Sequence, residues 1–330
     1  MYFLYQKFPE SADNEGGSNL SSVKEEEKIL SLFALNENKQ IENIAIGVFD
    51  GIHLGHQKIL RNLLSLGSKE NSLVITFEPH PLAIISPERV PPKLVSLQQK
   101  KSLFEIYGLK HILFIRFDQE LRELTAEAFL IELKKIFPRL KRVVVGEDFR
   151  FGWNAEGNVR LLREKGYQLG FETIVVAPLM FQGQSISSTK IRKAIERRDF
   201  SLASQLLGRS YRIEGIVGTG QGVGKTIGFP TANLQHVVQL LPPPGVYGCQ
   251  VAYNKEIFIG VANYGRRPTI QEEGRLNLEL HLIDFEGNLY GQTLSLFNFH
   301  FLREEKKFLS VEELKQQIAK DIEKTKSFFL

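Results

Sequence analysis

Two histidines, His53 and His56, stand three residues apart in the stretch Gly47-Val-Phe-Asp-Gly-Ile-His-Leu-Gly-His56. At that spacing both imidazoles can face one side of a helical turn. Two such groups can donate hydrogen bonds to a polyphosphate as its charge shifts in a reaction. Gly51 and Gly55 carry no Cβ, so a nucleotide can approach the backbone closely. Gly47, Phe49 and Asp50 complete the turn. A zinc ion also takes histidines at this spacing, but no cysteine or acidic cluster accompanies the pair. A single histidine would more often be structural. Two of them with paired glycines and an aspartate in one turn are harder to explain as core packing.

A second stretch, Ile186-Ser-Ser-Thr-Lys-Ile-Arg192, precedes a helical run. Ser188 or Thr189 can cap that helix. Lys190 and Arg192 then lie near its start, where free N–H groups and cations could hold a triphosphate. Alone, such a Ser-Ser-Thr is an ordinary cap. A third stretch, Gly218 to Lys225, has glycine at every second position and then Thr226. It is not a P-loop, which needs glycine at 219, where Thr219 stands. Pro230, after Ile227-Gly228-Phe229, also opposes the helix a P-loop opens. Nor is it a dinucleotide fingerprint, because Val223 occupies the third glycine position. Gly220, Gly224 and Gly228 leave either a loop whose N–H groups wrap phosphate or a plain hairpin. Beyond Pro230, Thr231 and Asn233 are hard oxygen donors two residues apart, suited to Mg²⁺ with phosphates and water. A simple Asx turn is the plainer reading of that tetrapeptide.

The elements that must position these residues follow from the pattern around them. With 330 residues, and roughly 150 per domain, two domains are expected. Residues 1–40 are polar, with Lys-Glu-Glu-Glu-Lys at 24–28, and read as a mobile extension with one short helix at Glu25–Phe33. Between 41 and 205, short apolar runs such as IENIAIGVF, LVITFE, HILFIRF and RVVVGE alternate with amphipathic stretches. That pattern predicts an α/β, Rossmann-like domain, a parallel sheet with helices on both faces. From 206 to 330, strand-like runs joined by Gly and Pro turns predict an antiparallel β-barrel with one terminal helix. The boundary falls near 200–210. The single cysteine, Cys249, permits no internal disulfide and fits a reducing compartment. There is no secretory signal and no apolar run long enough to span a membrane, so a cytoplasmic enzyme is expected. A net charge of +4 over this length is too weak a field to argue for nucleic acid.

GVFDGIHLGH contains the His-x-Gly-His element of the nucleotidyltransferase superfamily. With TFEPHP, VGEDFRFG and SSTKIR, in this order and spacing, it resembles the FMN adenylyltransferase module of bacterial bifunctional riboflavin kinase/FAD synthetases. The resemblance implies direct attack of the FMN phosphate on the α-phosphate of ATP, without a covalent enzyme intermediate. It implies that His53, His56, Ser188, Thr189 and Arg192 contact ATP phosphates, and that Asp148, Phe149 and Phe151 lie around the flavin and nucleotide pocket. Core packing is a serious rival for the two phenylalanines. It assigns His80 no role beyond shaping a loop. Further on, GFPTAN, GVY, VANYGRRPT, LELHLIDF, LYG and LREEKKF are similar to the riboflavin kinase module, again in order. That resemblance implies Glu279 as the base, Thr231 and Asn233 as Mg²⁺ ligands, and Asn263 in the nucleotide site. It implies ATP, riboflavin and FMN as small-molecule partners, and Arg303 on the flavin side. Two positions depart from the family: Lys225 replaces the usual arginine, losing its fork, and Tyr264 replaces an aliphatic residue. The rival readings are a chain with one working activity, a flavin-binding regulator, and an aminoacyl-tRNA synthetase-like enzyme. The last would need a KMSKS-type loop and a basic anticodon domain.

Overall fold

Asn43-Ile-Ala-Ile46 and Arg142-Val-Val-Val-Gly146 are too short for helices and buried along most of their length, as suits inner strands of a sheet covered on both faces. The computed structural model describes residues 29–219, 224, 227–266 and 276–330. In it five strands, β1 (Asn43–Ile46), β2 (Ser72–Glu78), β3 (His111–Arg116), β4 (Arg142–Gly146) and β5 (Glu172–Val176), form a parallel sheet in the order β3-β2-β1-β4-β5. The helices are α1 (Leu54–Ser65), α2 (Leu82–Ile85), α3 (Leu97–Ile106), α4 (Gln119–Glu123), α5 (Ala126–Ile136) and α6 (Val159–Gln168). A hairpin of β6 (Met180–Phe181) and β7 (Gln184–Ser185) follows. These elements make one unit, the chain up to Pro91 and Leu97–Ser185.

Ile44, Ile46, Val143 and Val145 share a core with Phe129, Leu130 and Leu133 of α5. Strand alternation sends Ala45 and Val144 to the other face, where α1 packs on β1 and β4. The strand order reverses between β1 and β4, the kind of switch point where open α/β sheets leave a crevice. The turns leaving β1, β2 and β4 carry the Gly47–His56, Glu78–Pro81 and Glu147–Gly152 stretches.

The helix expected at Glu25–Phe33 is not formed where it is described. Leu30 donates to Phe114 O at 3.0 Å and accepts from Arg116 N at 2.8 Å, so its backbone extends the sheet instead. A 3₁₀ turn at Leu32–Ala34, capped by Ser31, then buries Leu32 in the core. Residues 1–28 lie outside the described residues.

The other unit takes Pro92–Ser96 and Ile186–Leu330. It begins with α7 (Ser188–Glu196) and α8 (Phe200–Leu207). Then β8 (Arg212–Gly218), β9 (Ala232–Gln235), β10 (Gly245–Tyr253), β11 (Glu256–Arg266), β12 (Leu276–Leu282) and β13 (Thr293–Arg303) close an antiparallel barrel, in the order β10-β11-β12-β9-β8-β13. The β10–β11 hairpin turns through Asn254 and Lys255 at φ of 48° and 66°, the left-handed pair that a two-residue turn requires. The last helix, α9 (Val311–Phe329), packs on β10, β11 and β13. At Gly248 an added Cβ would stand 2.8 Å from Thr325 Oγ1, so glycine sets how closely α9 approaches. Both expected architectures are present. Among the described residues no helix is long and apolar enough to cross a membrane.

Candidate functional site

The turn after β1 is strained and pinned. Phe49 and Ile52 have φ of 50° and 39°, a region that a β-branched residue rarely enters, and Gly51 between them has 79°. Packing holds the geometry: the Phe49 ring meets His56 edge-on at 5.3 Å and Phe104 at 5.7 Å. The Val48 carbonyl accepts from Thr76 Oγ1 at 3.0 Å and from Lys100 Nζ at 3.1 Å. Lys100 is only 5% exposed, so an ammonium group is held against this turn. Neither Thr76 nor Lys100 stood out in the sequence, because a lysine in an amphipathic helix is ordinarily solvated.

His53 caps α1, its Nδ1 accepting the His56 N–H at 3.2 Å. That role places the proton of neutral His53 on Nε2. The two rings stack at 3.7 Å with 16° between planes. Asp50 and Gly51 are buried in the 3₁₀ turn Asp50–Ile52, and Gly55 is in the first turn of α1. A Cβ on Gly47 would press the Phe49 ring at 3.1 Å. Free helix N–H groups and two parallel imidazoles together suit a phosphate chain. Beyond β4, Asp148 is exposed and Phe149 is half-buried, stacked at 5.5 Å on Phe151. Phe151 belongs to the hydrophobic core. His80 Nδ1 accepts from Leu82 N at 3.1 Å, shaping the loop after β2.

In the other unit, Ser187 caps α7, not Ser188 or Thr189 as expected. Its φ and ψ of −149° and 157° are extended, and its side chain accepts from Lys190 N at 3.4 Å. A cap must stay outside helical geometry for its hydroxyl to fold back, and Ser188 and Thr189 are already helical. Arg192 is 8% exposed and donates from Nε to Pro92 O at 2.8 Å.

On the barrel, Gly218, Asn233, Glu279 and Asn263 face one another across β8, β9, β12 and β11 as a single rung. Opposed residues project to the same side of a sheet. Leu278, Leu280 and Leu282 are buried inside, so the rung's side chains point outward, as the LELHL alternation predicts. Asn277 Nδ2 lies 2.7 Å from Glu279 Oε1 and 3.1 Å from Asn233 Oδ1. His281 Nδ1 lies 2.8 Å from Pro230 O and must carry the proton, since a carbonyl only accepts. Thr231 and Asn263 are exposed, whereas Asn233 is 6% exposed. Gly224 accepts from Phe229 N at 2.8 Å, and any Cβ there would collide with the Phe229 carbonyl. Gly228 has φ of 87°. Gly220, Lys225 and Thr226 lie outside the described residues. Among the described residues no group of three or more His, Cys, Asp or Glu could hold a metal ion. A cation at the rung would draw on the Thr231 hydroxyl and Asn233 carbonyl oxygen, hard donors that suit Mg²⁺ completed by phosphate and water.

Arg303, at the end of β13, is engaged elsewhere. Its Nε and Nη2 bind Asp321 of α9 at 3.0 and 2.8 Å, and Nη1 donates to Glu304 O at 3.1 Å. Asp321, 4% exposed, also accepts from Gln317 at 2.9 Å. Tyr264 is buried opposite Gly245 and Leu278, and burial raises its phenol pKa. Burial likewise pushes the Cys249 thiol far up, leaving it inert.

A family model described as FAD synthetase matches residues 35–190, and one described as riboflavin kinase matches residues 207–329. The chain is 38% identical over 308 residues to the bifunctional riboflavin kinase/FMN adenylyltransferase of Buchnera aphidicola subsp. Schizaphis graminum, across 91% of this chain and 97% of the relative. To the protein of that name from Escherichia coli K12 it is 38% identical over 289 residues, across 87% and 92%. A crystal structure described as a macrolide-efflux protein from Streptococcus pneumoniae matches with a TM-score of 0.77 at 28% identity, covering 90% of this chain and 97% of that one.

Proposed function

The chain belongs to the bifunctional riboflavin kinase/FMN adenylyltransferase family, and from that premise we propose how its residues divide the two reactions. The enzyme phosphorylates riboflavin to FMN with ATP, and joins FMN to the AMP of a second ATP to make FAD and pyrophosphate. We assign adenylyl transfer to residues 41–205 and phosphorylation to residues 206–330.

In adenylyl transfer, an FMN phosphate oxygen attacks the α-phosphorus of ATP. The new P–O–P bond forms as the bond to pyrophosphate breaks. His53 and His56 donate hydrogen bonds to the phosphates, and the glycines of the turn admit the nucleotide. The observation that supports this is the stacked imidazole pair at the start of α1. Asp148 and Phe149 border the flavin and nucleotide pocket, and Phe151 supports them from the core. Ser188, Thr189 and Arg192 are assigned to ATP phosphate by resemblance.

In phosphorylation, Glu279 accepts the proton of riboflavin's primary alcohol as that oxygen attacks the γ-phosphorus and ADP leaves. Gly220, Gly224, Lys225, Thr226, Gly228, Pro230 and Asn263 are assigned to ATP binding by resemblance. Thr231 and Asn233 would hold Mg²⁺, which would supply neutralisation of the phosphate charge. Arg303 shapes the flavin side through its bond to Asp321. The cytoplasm is the proposed compartment, on the grounds that the single cysteine permits no internal disulfide.

The test is purified protein with riboflavin, ATP and Mg²⁺, with products separated by chromatography. FMN and FAD should both appear. FMN alone would leave one working activity, and neither product would favour a flavin-binding regulator.

A further inference from the structure

Asn277 has no part in the assignments above, yet it touches both groups on which phosphorylation depends. Strand alternation puts Asn277, Glu279 and His281 on the outer face of β12. An ionised carboxylate only accepts hydrogen bonds, so it is the amide nitrogen of Asn277 that must face Glu279 Oε1, at 2.7 Å. That nitrogen carries two hydrogens. The second points at Asn233, 3.1 Å away, and the atom that meets it must be the amide oxygen. Turning either amide over would set two donors or two acceptors against each other. One side chain is therefore locked in orientation by two acceptors, and it locks Glu279 in return.

Resting on the reading of Glu279 as the base, the geometry points to Asn277 as a positioning residue for riboflavin phosphorylation, holding the Glu279 carboxylate where it meets the substrate hydroxyl. A base must lie within about 2.6–3.2 Å of the group it deprotonates, and the last torsion of a glutamate is broad and easily turned. The hydrogen bond from Asn277 restrains that torsion. A displacement of about 1 Å at a reacting group can cost on the order of 100-fold in rate. A purely structural role would act through the bond to Asn233, which reinforces the β9–β12 pairing where the ladder ends at Leu278 and Leu234. The two roles predict different kinetics.

The experiment compares the full-length wild type, Asn277→Ala, Glu279→Gln and the double variant. Kinase kcat and KM for riboflavin are measured, with FAD formation from supplied FMN and thermal midpoint as controls of folding. Positioning predicts that Asn277→Ala lowers kcat about 10- to 100-fold with KM within about threefold. In the Glu279→Gln background the same change should cost less than about threefold, because the group it positions is already gone. Equal losses in the two backgrounds, or a fall in midpoint with kcat intact, would overturn the proposal. Asn277→Asp keeps the shape and replaces the donor with an acceptor. It should lose at least as much kcat as the alanine variant, and wild-type turnover in it would also overturn the proposal, even if Asn277→Ala failed to fold. Wild-type turnover in Glu279→Gln would instead sink the base assignment itself, and positioning with it.

Discussion

His53 serves α1 twice, as the N-cap that accepts the His56 amide and as one of two stacked imidazoles. His53→Ala should therefore cost about 1 kcal/mol of stability for the lost cap, as well as activity. His56→Ala leaves the cap in place and isolates the chemistry. Each variant should lower FAD formation from supplied FMN on the order of 100-fold, the scale of losing one well-placed donor to a charged transition state, while FMN formation continues. Loss of both activities in a folded protein would overturn the assignment of two sites. For Glu279→Gln, shape and neighbours are nearly kept and the proposed proton acceptor is removed. FMN formation should fall by about 10² to 10⁴, the usual contribution of a general base, with FAD formation from FMN nearly unchanged. Kinase turnover within a few-fold of wild type would rule out that role. The outward direction of Glu279 was legible in the alternation of LELHL. The grip of Asn277 on it was not, because it depends on the register that sets β12 against β9.

The terminal helix is the element that most needed tertiary structure to interpret. Its pattern reads as an ordinary amphipathic helix, yet it buries Asp321 and Thr325 against the barrel. Asp321 holds the Arg303 guanidinium through a fork of charge-assisted bonds, and the Thr325 hydroxyl fills the space left by Gly248. Asp321 is buried while Arg303 keeps part of its side chain in solvent and a bond to Glu304 O, so Asp321→Ala should cost about 2 kcal/mol. Gly248→Val would force α9 outward at about 1–3 kcal/mol. Both are measured by chemical denaturation followed through the barrel. An unchanged midpoint for Asp321→Ala would show that Arg303 finds another partner and that α9 is not clamped through it.

At the scale of the molecule, α7 and α8 belong to the compact unit of the barrel. Phe200 packs on Phe299 at 5.2 Å and on Tyr247 at 6.0 Å. Arg198 lies 3.9 Å from the centre of the Phe301 ring and binds Glu304 at 2.7 and 2.9 Å. A fragment of residues 186–330 keeps these contacts, whereas one of residues 206–330 uncovers three aromatic rings. The longer fragment should fold and make FMN but no FAD. The shorter one should melt on the order of 10 °C lower, given about 3 kcal/mol for a lost aromatic anchor. Equal melting temperatures, or a folded 186–330 fragment without kinase activity, would count against this grouping.

The amino-acid sequence by itself determined the two architectures, the direction of the β12 leucines, the failure of the P-loop register and the stretches proposed to carry the chemistry. All of these are local properties, since periodicity and turn residues are written within a few positions of one another. Tertiary structure alone decided the partners. Val48 meets Thr76 and Lys100 from 28 and 52 residues away, Arg303 meets Asp321 across 18, and Asn277 reaches Asn233 across 44. Even the cap of α7 fell to Ser187 rather than its neighbour, because three consecutive hydroxyl residues offer the same chemistry and only the backbone angle selects among them. A residue's type limits which bonds it can make. Which bond forms depends on the distant atom that folding brings within about 3 Å.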